Sequence, residues 1–420
     1  MAEYSIPYGK SKQSFHLPED WPVSILKPEH RDALENPIQE ISASLKRLGK
    51  NLYAQGDTST AVIAINDKTR PVPHHFLLPP LLSWLEEVGY KRENITLIIA
   101  TGTHAPMLPE EHHLIVPEEI SRRYKIISHD AEDKENLIKL GKTAAGTPCT
   151  INKIFAEADL RVVVGNIEPH QYMGWSGGVK SAVIGLGGTE SIRTNHSMLT
   201  MEGAGPCRYE DNPVRQDVEE SGRIIGVHLA LNVVMNDSKE IVAVFAGDPL
   251  NVMKKGIKEA QFLFSVPIDS RFDLVITSPG GYPKDINLYQ AQKALRHASM
   301  AAKPGAPMIL IGACSEGIGS PPYEKWMKDK TSHHQVQEAF EHEEFKLGPH
   351  KAMLITADAI NRDVYLVSEL SDETVRKMLL IPASSVQEAI GMIQKTGDSS
   401  ISLKTAILPY GNATVPYPGD

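Results

Sequence analysis

Short apolar runs alternate with helical patterns along most of the chain. These runs are rich in β-branched residues and cover residues 61–65, 96–100, 125–128, 161–164, 273–277, 307–312, 363–367 and 378–381. Near-continuous apolar runs between helices are typical of strands that are buried on both faces of a parallel sheet. The pattern therefore predicts an α/β fold with largely parallel sheets.

One helix start is marked clearly by its residue types. Asn36 suits the N-cap position, Pro37 suits the first helical position, and Gln39 stands at the third position of a capping box. The sequence therefore predicts a helix that begins at Pro37.

A chain of 420 residues is longer than a single hydrophobic core usually organises. The break that we predict follows a helix over 251–264, where a proline and several polar residues precede the next strand. This division gives a first domain over 1–266 and a second over 267–405. The tail, 406–420, contains turn-forming glycines and prolines that leave its path open.

Composition argues against several classes of function. With 43 basic and 52 acidic residues, the net charge is −9, so the chain has no electrostatic footprint for nucleic acid. Its N-terminus lacks the apolar core of a secretory signal, and no stretch approaches the ~20 apolar residues that cross a bilayer. Cys149, Cys207 and Cys314 do not have the spacing of a disulfide framework or of a zinc site. We therefore expect a cytoplasmic protein without a membrane or nucleic-acid partner.

Polar residues that suit catalysis follow three of the predicted strands. Segment 66–71 reads NDKTRP, segment 101–104 reads TGTH, and segment 165–170 reads GNIEPH. Ligands of open α/β sheets bind beyond the carboxyl ends of the strands. Arg70, His104 and His170 are therefore expected to meet in one crevice. Each of them alone is more simply explained as a surface or structural loop residue, and only their joint occurrence favours a site.

A glycine-rich segment follows these motifs. Residues 174–181 read GWSGGVKS and residues 185–188 read GLGG, and a glycine-rich turn that opens a helix is a natural cradle for phosphate. The segment approaches a P-loop, but Val179 stands where that motif requires a glycine before the lysine. Lys180, and His196 beyond the glycines, are by themselves ordinary surface or structural residues.

Taken together and in this order, these segments resemble the lactate racemase family, whose members use a nickel-pincer nucleotide. The resemblance extends over nearly the whole chain and continues at residues 289–293, which read YQAQK. It implies a racemase or epimerase of a small 2-hydroxy acid, such as lactate, malate or an aldonate. It also implies an α/β fold of two domains with a cofactor cleft between them. Domain 1–266 is then the cofactor-binding and catalytic domain, and domain 267–405 completes the substrate site.

The resemblance also implies roles for individual residues. The cofactor, a pyridinium thioamide/thiocarboxylate mononucleotide with nickel, is expected to be attached covalently through Lys180. His196 matches the nickel ligand, and His104 and His170 match the catalytic acid/base pair. The other implied residues are Arg70, Tyr289, Gln290 and Lys293 for the substrate, and Asp67, Ser176, Gly177 and Gly178 for the ribose and phosphate of the cofactor.

Elementary chemistry agrees with these roles. Nickel held by two sulfurs and a ring carbon is tetragonal, with one in-plane position left for a neutral imidazole. Two catalytic histidines are needed because the two enantiomers present their hydroxyls from opposite sides. An imidazole can take or return a proton at neutral pH. The Cα proton of a 2-hydroxy acid is very weakly acidic, so we expect reversible hydride transfer to the nucleotide.

One stretch departs from the lactate-acting members of the family. Where those members place a bulky aromatic residue, this chain reads GPHK at residues 348–351. A polar pair in place of an apolar wall favours a substrate that is larger or more acidic than lactate. The implied partners are this 2-hydroxy acid and the cofactor-biosynthesis proteins that load the nucleotide.

Two other functions remain open from the residues alone. A nucleotide- or phosphate-dependent transferase would use the glycine segment around Lys180, with Asp67 available to bind magnesium. A cofactor-free binding protein would recognise an organic acid through Arg70 and Lys293, which leaves His104, His170 and Lys180 unexplained. The visible spectrum and the metal content of protein made with and without the cofactor pathway distinguish these functions.

Overall fold

Two compact units make up the chain, as seen in a computed structural model that describes residues 1–49, 59–70, 72–236, 238–343, 348–396 and 402–418. The middle unit is His30–Leu263, and the terminal unit combines Met1–Glu29 with Phe264–Asp420. Each contains a six-stranded sheet in which parallel pairs predominate, which confirms the predicted α/β fold.

The elements are numbered along the chain. The strands are β1 (Ala2–Tyr8), β2 (Ser11–Leu17), β3 (Val23–Ile25), β4 (Ala61–Asn66), β5 (Ile95–Ala100), β6 (Lys125–Ser128), β7 (Leu137–Lys142), β8 (Pro148–Asn152), β9 (Leu160–Asn166), β10 (Pro169–His170), β11 (Gly174–Trp175), β12 (Leu229–Met235), β13 (Ile241–Gly247), β14 (Ser265–Ile268), β15 (Leu274–Thr277), β16 (Met308–Ile311), β17 (Val364–Val367), β18 (Ile381–Ala383), β19 (Thr405–Leu408) and β20 (Val415–Pro418). The helices are α1 (Pro37–Lys46), α2 (His74–Glu87), α3 (Glu118–Ser121), α4 (Lys153–Glu157), α5 (Lys180–Val183), α6 (Thr189–Ser197), α7 (Pro213–Ile225), α8 (Pro249–Phe264), α9 (Leu288–Ala291), α10 (Lys293–Ala301), α11 (Pro321–Met327), α12 (His333–His342), α13 (His350–Ala359), α14 (Asp372–Lys377) and α15 (Val386–Thr396). None of these described helices combines the length and the apolar character that a membrane span requires.

The middle unit is built on a sheet with the strand order β13-β12-β9-β4-β5-β6. Each neighbouring pair is parallel except β12 with the edge strand β13. The predicted strands 61–65, 96–100, 125–128 and 161–164 are confirmed as β4, β5, β6 and β9. Ile63 and Ile65 of β4 are buried in one core with residues of α1 and α2. Helix α1 begins as predicted, since the Asn36 side chain accepts a hydrogen bond from the Gln39 backbone N–H at 3.1 Å.

The order of strands in the middle unit creates a place for a ligand. Strand β4 comes first in the chain, β5 and β6 lie on one side of it, and β9 and β12 lie on the other. Where the strand order reverses in this way, the loops that follow the strands separate and leave a crevice at the carboxyl ends. A site is therefore expected beyond β4, β5 and β9.

The terminal unit has an all-parallel sheet with the order β18-β17-β16-β15-β19-β3. The predicted strands 273–277, 307–312 and 363–367 are confirmed as β15, β16 and β17. The prediction for 378–381 is wrong over its first three residues. Met378 caps the end of α14, and Leu379 adopts a left-handed turn with φ 59° before β18 starts. Met378 and Leu380 are nevertheless buried, so this apolar run marks a packed helix end.

Both ends of the chain lie in the terminal unit. Strands β1 and β2 form an antiparallel hairpin, and β3 is the edge strand beside β19. The predicted first domain, 1–266, therefore differs from the middle unit, because Met1–Glu29 belongs to the terminal unit. The predicted tail, 406–420, begins inside β19 and reaches β20, which pairs with β14. A three-residue strand and a short tail are too short to show a periodic pattern, so the sequence does not indicate which strands they pair with.

Candidate active site

The loops after three neighbouring strands line one cavity in the middle unit. Arg70 follows β4, His104 follows β5, and His170 lies beyond the end of β9. All three border the same cavity, together with Lys180 and His196. The structure therefore brings together the residues that the sequence places after these strands, while their chemical roles remain predictions. Pro71, which completes the first motif, lies outside the described residues.

His104 and Asp67 form a hydrogen-bonded pair at this cavity. His104 Nδ1 lies 2.6 Å from Asp67 Oδ2, and Asp67 Oδ1 accepts hydrogen bonds from the backbone N–H and the hydroxyl of Thr69 at 3.0 and 2.7 Å. Burial raises the pKa of Asp67, but the hydrogen bonds from His104 and Thr69, and the positive charge of Arg70, leave this pKa below its ordinary value. Because an ionised carboxylate only accepts, His104 places a hydrogen on Nδ1, and the neutral form of this imidazole then has its lone pair on Nε2.

Both carboxylate oxygens of Asp67 have partners within the protein, His104 and Thr69. The sequence-based prediction instead assigns Asp67 to the ribose and phosphate of the cofactor. The side chain is 4% exposed. Asp67 is thus placed to orient an imidazole, as the carboxylate of a catalytic triad does.

The ring of Tyr172 contacts two of the candidate histidines, and no sequence pattern predicts it. Its ring centre is 4.8 Å from that of His170 and 5.5 Å from that of His196, with edge-on geometry in both pairs. His170 itself lies in β10, which pairs with β11, and its Nδ1 accepts a hydrogen bond from the Met173 backbone N–H at 3.3 Å. An isolated aromatic residue has no periodic pattern, so its closeness to His170 in the sequence is the one signal for it.

A buried ion pair holds the turn that leads to Lys180. Arg215 is fully buried and donates to Glu219 at 2.5 Å. Its guanidinium also donates to the carbonyl oxygens of Trp175 and Gly177, at 3.0 and 3.2 Å. Gly177 has a φ of 84°, and a Cβ atom there would come within 2.8 Å of a neighbouring side chain. The backbone of this turn therefore requires glycine at position 177. Lys180 begins α5 immediately after the turn, which Arg215 of α7 holds in place.

Two of the predicted phosphate contacts are engaged within the protein. The Gly178 N–H donates to Asn232 Oδ1 at 2.7 Å, and the Ser176 hydroxyl donates to the Asn166 carbonyl oxygen at 2.9 Å. The segment also differs from a P-loop, because its first two residues form β11, which pairs with β10 in a separate two-stranded sheet. Gly177 does border the cavity, and its contact with the cofactor remains a prediction.

The cavity contains groups that fit a nucleotide carrying a metal. Asn66 Oδ1 is buried at the cavity wall and accepts no hydrogen bond from the described residues, so a ligand hydroxyl would satisfy an acceptor that is otherwise costly to bury. His196 offers an imidazole, a ligand that nickel accepts. Among the described residues, no group of three or more histidine, cysteine or carboxylate side chains is arranged to hold a metal. A metal already bound to a nucleotide would need fewer protein ligands than such a group supplies, and the imidazole of His196 could be one of them.

The remaining predicted residues form a second polar cluster, which belongs to the terminal unit. Tyr289 and Gln290 lie in α9, and Lys293, at the start of α10, donates from Nζ to Gln290 Oε1 at 2.6 Å. Lys351 Nζ lies 4.7 Å from the centre of the Tyr289 ring, and the His350 ring meets that ring edge-on at 6.2 Å. His350 and Lys351 are each 4% exposed. The polar pair noted in the sequence thus contacts a predicted substrate residue.

Comparison with known protein families gives matches to both halves of the chain. A family model described as the lactate racemase N-terminal domain matches residues 8–205, and one described as the lactate racemase C-terminal domain matches residues 268–415. Two curated relatives carry the name lactate racemase. The protein from Thermoanaerobacterium thermosaccharolyticum is 31% identical over 436 aligned positions, which cover 99% of each chain. The protein from Lactiplantibacillus plantarum is 31% identical over 386 positions, which cover 90% of this chain and 88% of the relative.

Solved structures extend these matches to the fold. The lactate racemase apoprotein from Thermoanaerobacterium thermosaccharolyticum superimposes with a TM-score of 0.92 at 29% identity, covering 99% of this chain and all of that one. A Thermotoga maritima protein superimposes with a TM-score of 0.69 at 19% identity, covering 93% of this chain and all of that one. The second likeness concerns the fold alone.

Proposed function

We propose that this chain, which belongs to the lactate racemase family, racemises or epimerises a small 2-hydroxy acid by reversible hydride transfer to a nickel-pincer nucleotide tethered through Lys180. The enzyme is an isomerase of the lactate racemase type. The observation that carries the proposal is the single cavity bordered by Arg70, His104, His170, Lys180 and His196. These residue types supply a carboxylate clamp, two acid/base groups, an amine and a metal ligand.

The two cavity histidines move the hydroxyl proton, one for each enantiomer. In its neutral form His104 accepts a proton at Nε2, because the Asp67 carboxylate pairs with the N–H at Nδ1. His170 serves the enantiomer whose hydroxyl points to the opposite side. Arg70 is the proposed grip for the substrate carboxylate, with its planar, two-pronged guanidinium, and Lys293 is a further proposed substrate-binding residue. This grip fixes the reacting carbon while the rest of the molecule turns.

The cofactor assignment rests on groups that line the same cavity. When bound, the nickel-pincer nucleotide supplies an acceptor and donor of hydride. Lys180 is the proposed point of attachment, His196 is the proposed nickel ligand, and Asn66 is placed to accept a hydrogen bond from the nucleotide. Cofactor-biosynthesis proteins load the nucleotide in this proposal. The three free cysteines agree with a reducing cytoplasm as the place where the enzyme works.

The terminal unit supports a substrate that carries a second polar or anionic group, such as malate or an aldonate. Tyr289 and Gln290 are the proposed substrate neighbours, and Tyr289 is contacted by Lys351 and His350. A buried ammonium group is stabilised by an anionic or hydrogen-bonding partner and gains nothing from a methyl group. The positive charge of Lys351 beside Tyr289 therefore favours a substrate that carries a second carboxylate or hydroxyl group.

The hydride step is tested with substrate deuterated at Cα and cofactor-loaded enzyme. We expect a primary isotope effect on racemisation, with the deuterium retained in the product. We also expect unlabelled substrate to remain unlabelled at Cα in heavy water. Rapid exchange of the Cα position with solvent would mean proton abstraction, and the hydride proposal would then be abandoned.

The substrate class is tested by comparing kcat/KM for lactate, malate and an aldonate. We expect malate or the aldonate to exceed lactate in the wild-type enzyme. Replacing the ammonium group in Lys351→Met should reduce kcat/KM for the favoured substrate by about tenfold or more, because a charge-assisted contact of 1.5–3 kcal/mol is lost, while lactate changes less. An equal loss for all three acids would contradict the specificity role of Lys351.

A further inference from the structure

A chain of hydrogen bonds, buried except for its last, part-buried link, leads from α7 to the proposed nickel ligand. Asn195, in α6, is 1% exposed, and its Nδ2 donates to Asp217 Oδ2 at 2.8 Å and to the Val214 carbonyl oxygen at 3.0 Å. Asp217, in α7, is 3% exposed, and its Oδ1 accepts from the hydroxyl of Thr143 at 2.5 Å. The last link joins Asn195 Oδ1 to His196 Nδ1 at 3.2 Å.

These contacts fix which way the Asn195 amide points. A backbone carbonyl oxygen only accepts hydrogen bonds, so the group that faces Val214 must be the NH₂ of the amide. The carboxylate of Asp217 also accepts hydrogen bonds, so the NH₂ of the Asn195 amide must face it as well. The amide oxygen of Asn195 is therefore the atom that faces His196.

The orientation of that amide determines the tautomer of the imidazole. Because Asn195 Oδ1 only accepts, His196 must place its hydrogen on Nδ1 to make the bond. A neutral imidazole has a single N–H, so Nε2 then holds the lone pair. A metal binds the nitrogen that has the lone pair, and the hydrogen bond made by the other nitrogen decides which one that is.

We propose that Asn195 and Asp217 are positioning residues that keep His196 in the tautomer whose Nε2 can bind nickel. The inference rests on the proposed function, in which His196 is the nickel ligand. Thr143 and Val214 hold Asp217 and Asn195 in place, so the imidazole is oriented before the loaded nucleotide arrives. A purely structural role for Asn195, as a link between α6 and α7, would lower stability without changing the tautomer.

The tautomer is measured in the apoprotein, without cofactor or nickel. Protein labelled with ¹⁵N-histidine is examined by NMR at a pH of about 8, where an ordinary imidazole is neutral, and the His196 signals are assigned as those missing from His196→Gln. We expect the Nδ1–H tautomer in the wild type and a shift toward Nε2–H in Asn195→Ala. Asp217→Asn keeps an oxygen that can accept from Asn195, so it should preserve Nδ1–H, whereas Asp217→Ala should weaken it.

A matched control separates orientation from stability. Asn152 is also buried, and its side chain caps α4, so Asn152→Ala should destabilise the middle unit and leave the His196 tautomer unchanged. An Nε2–H tautomer in the wild type would overturn the proposal. So would an Asn195→Ala spectrum identical to that of the wild type.

The loaded protein supplies the second measurement. Asn195→Ala should keep the nucleotide adduct by intact mass but bind nickel about 10- to 100-fold more weakly, as is typical when the partner of a metal-bound histidine is removed. Full nickel retention in this variant would overturn the positioning role. A wild-type protein that shows the Nδ1–H tautomer but never carries an adduct or nickel would instead contradict the proposed function, and the two failures are therefore distinguishable.

Discussion

The two units have similar sheets, and each has a buried aspartate in a loop beyond the C-terminal ends of its strands. The hydrogen-bond partners of this aspartate differ between the units. Asp67 follows β4 in the middle unit, and Asp285 lies in the loop after β15 in the terminal unit. Both are nearly inaccessible to solvent, at 3% and 0% exposure. Asp67 is hydrogen-bonded to the imidazole of His104, which faces a cavity, whereas Asp285 is hydrogen-bonded to backbone amides.

The edge of the terminal sheet is tied to the N-terminal hairpin. Asp285 Oδ2 accepts from the backbone N–H groups of Gly9 and Ala313, at 2.7 and 3.0 Å. The Ser278 hydroxyl donates to the Pro7 carbonyl oxygen at 2.7 Å. The turn between β1 and β2 is thereby fixed to the loops after β15 and β16. Similar architecture thus orients an imidazole beside a cavity in one unit and anchors loops in the other, because a fold alone does not determine function.

The largest effect that we predict concerns the amine of the middle unit. Lys180→Ala should remove the nucleotide adduct and abolish racemisation, because no other amine is held by the turn that Arg215 fixes. Intact mass of protein produced with the cofactor pathway measures the adduct. Lys254→Ala, on the exposed side of α8, is the matched control and should keep both adduct and activity. An adduct that persists in Lys180→Ala would disprove the attachment.

The second prediction tests the carboxylate that serves an imidazole. Asp67→Asn should lower kcat by about 10- to 100-fold with little change in KM, because an amide no longer demands the Nδ1–H tautomer of His104. The matched change in the other unit, Asp285→Asn, keeps an oxygen that can accept from both backbone amides. It should leave kcat unchanged. Equal losses in the two variants would show that the comparison between the two carboxylates is mistaken.

The sequence predicts those parts of the structure that have a local or repeating signal. Buried strands such as β4 and β5 are apolar at every position, and site residues follow them because parallel strands end at one edge. The placement of β1 and β2 beside the loop of Asp285 depends on contacts between distant parts of the chain. No local pattern in the first 29 residues predicts this placement of the hairpin.

Sequence patterns also do not predict the polar networks within the candidate site. Asn195 stands next to His196 in the sequence, but Asp217 meets it only when α6 and α7 pack together. Tyr172 likewise acquires its place between two histidines through folding. Single polar or aromatic residues carry no periodicity, so their partners become visible only in three dimensions.

The third prediction concerns stability in the terminal unit. Asp285→Ala removes an acceptor from two backbone N–H groups and should lower the free energy of unfolding of this unit by about 2 kcal/mol, at about 1 kcal/mol for each lost hydrogen bond. Urea unfolding followed by limited proteolysis and mass spectrometry reports the two units separately. The middle unit, and the nucleotide adduct on it, should be unaffected. A loss of stability in Asp285→Asn as large as that in Asp285→Ala would argue against the two backbone bonds as its cause.

Each unit also contains a buried histidine that gives a matched test of pH dependence. Burial lowers the pKa of His74 in the middle unit, and that of His297 in the terminal unit, to about 4 in each case. Nδ1 of His74 bonds to the Ile115 carbonyl oxygen at 3.1 Å, and Nδ1 of His297 bonds to the Gly411 carbonyl oxygen at 2.6 Å. Both histidines are therefore neutral in the folded protein at pH values where the unfolded chain begins to take up protons.

The smallest effect that we predict follows from this difference in proton uptake. A folded-state pKa below the unfolded value of about 6.5 gives stability that is complete above that value and declines as the pH falls toward 4. Between pH 7.5 and pH 6, each histidine should cost its own unit about 0.8 kcal/mol of unfolding free energy. An asparagine reaches the same carbonyl oxygen with its NH₂ and does not titrate, so His297→Asn should remove this slope from the terminal unit alone, and His74→Asn from the middle unit alone. Urea unfolding at the two pH values, with proteolysis to identify each unit, measures the slopes. If His297→Asn flattened the pH dependence of both units equally, the units would unfold together and could not be treated as separate.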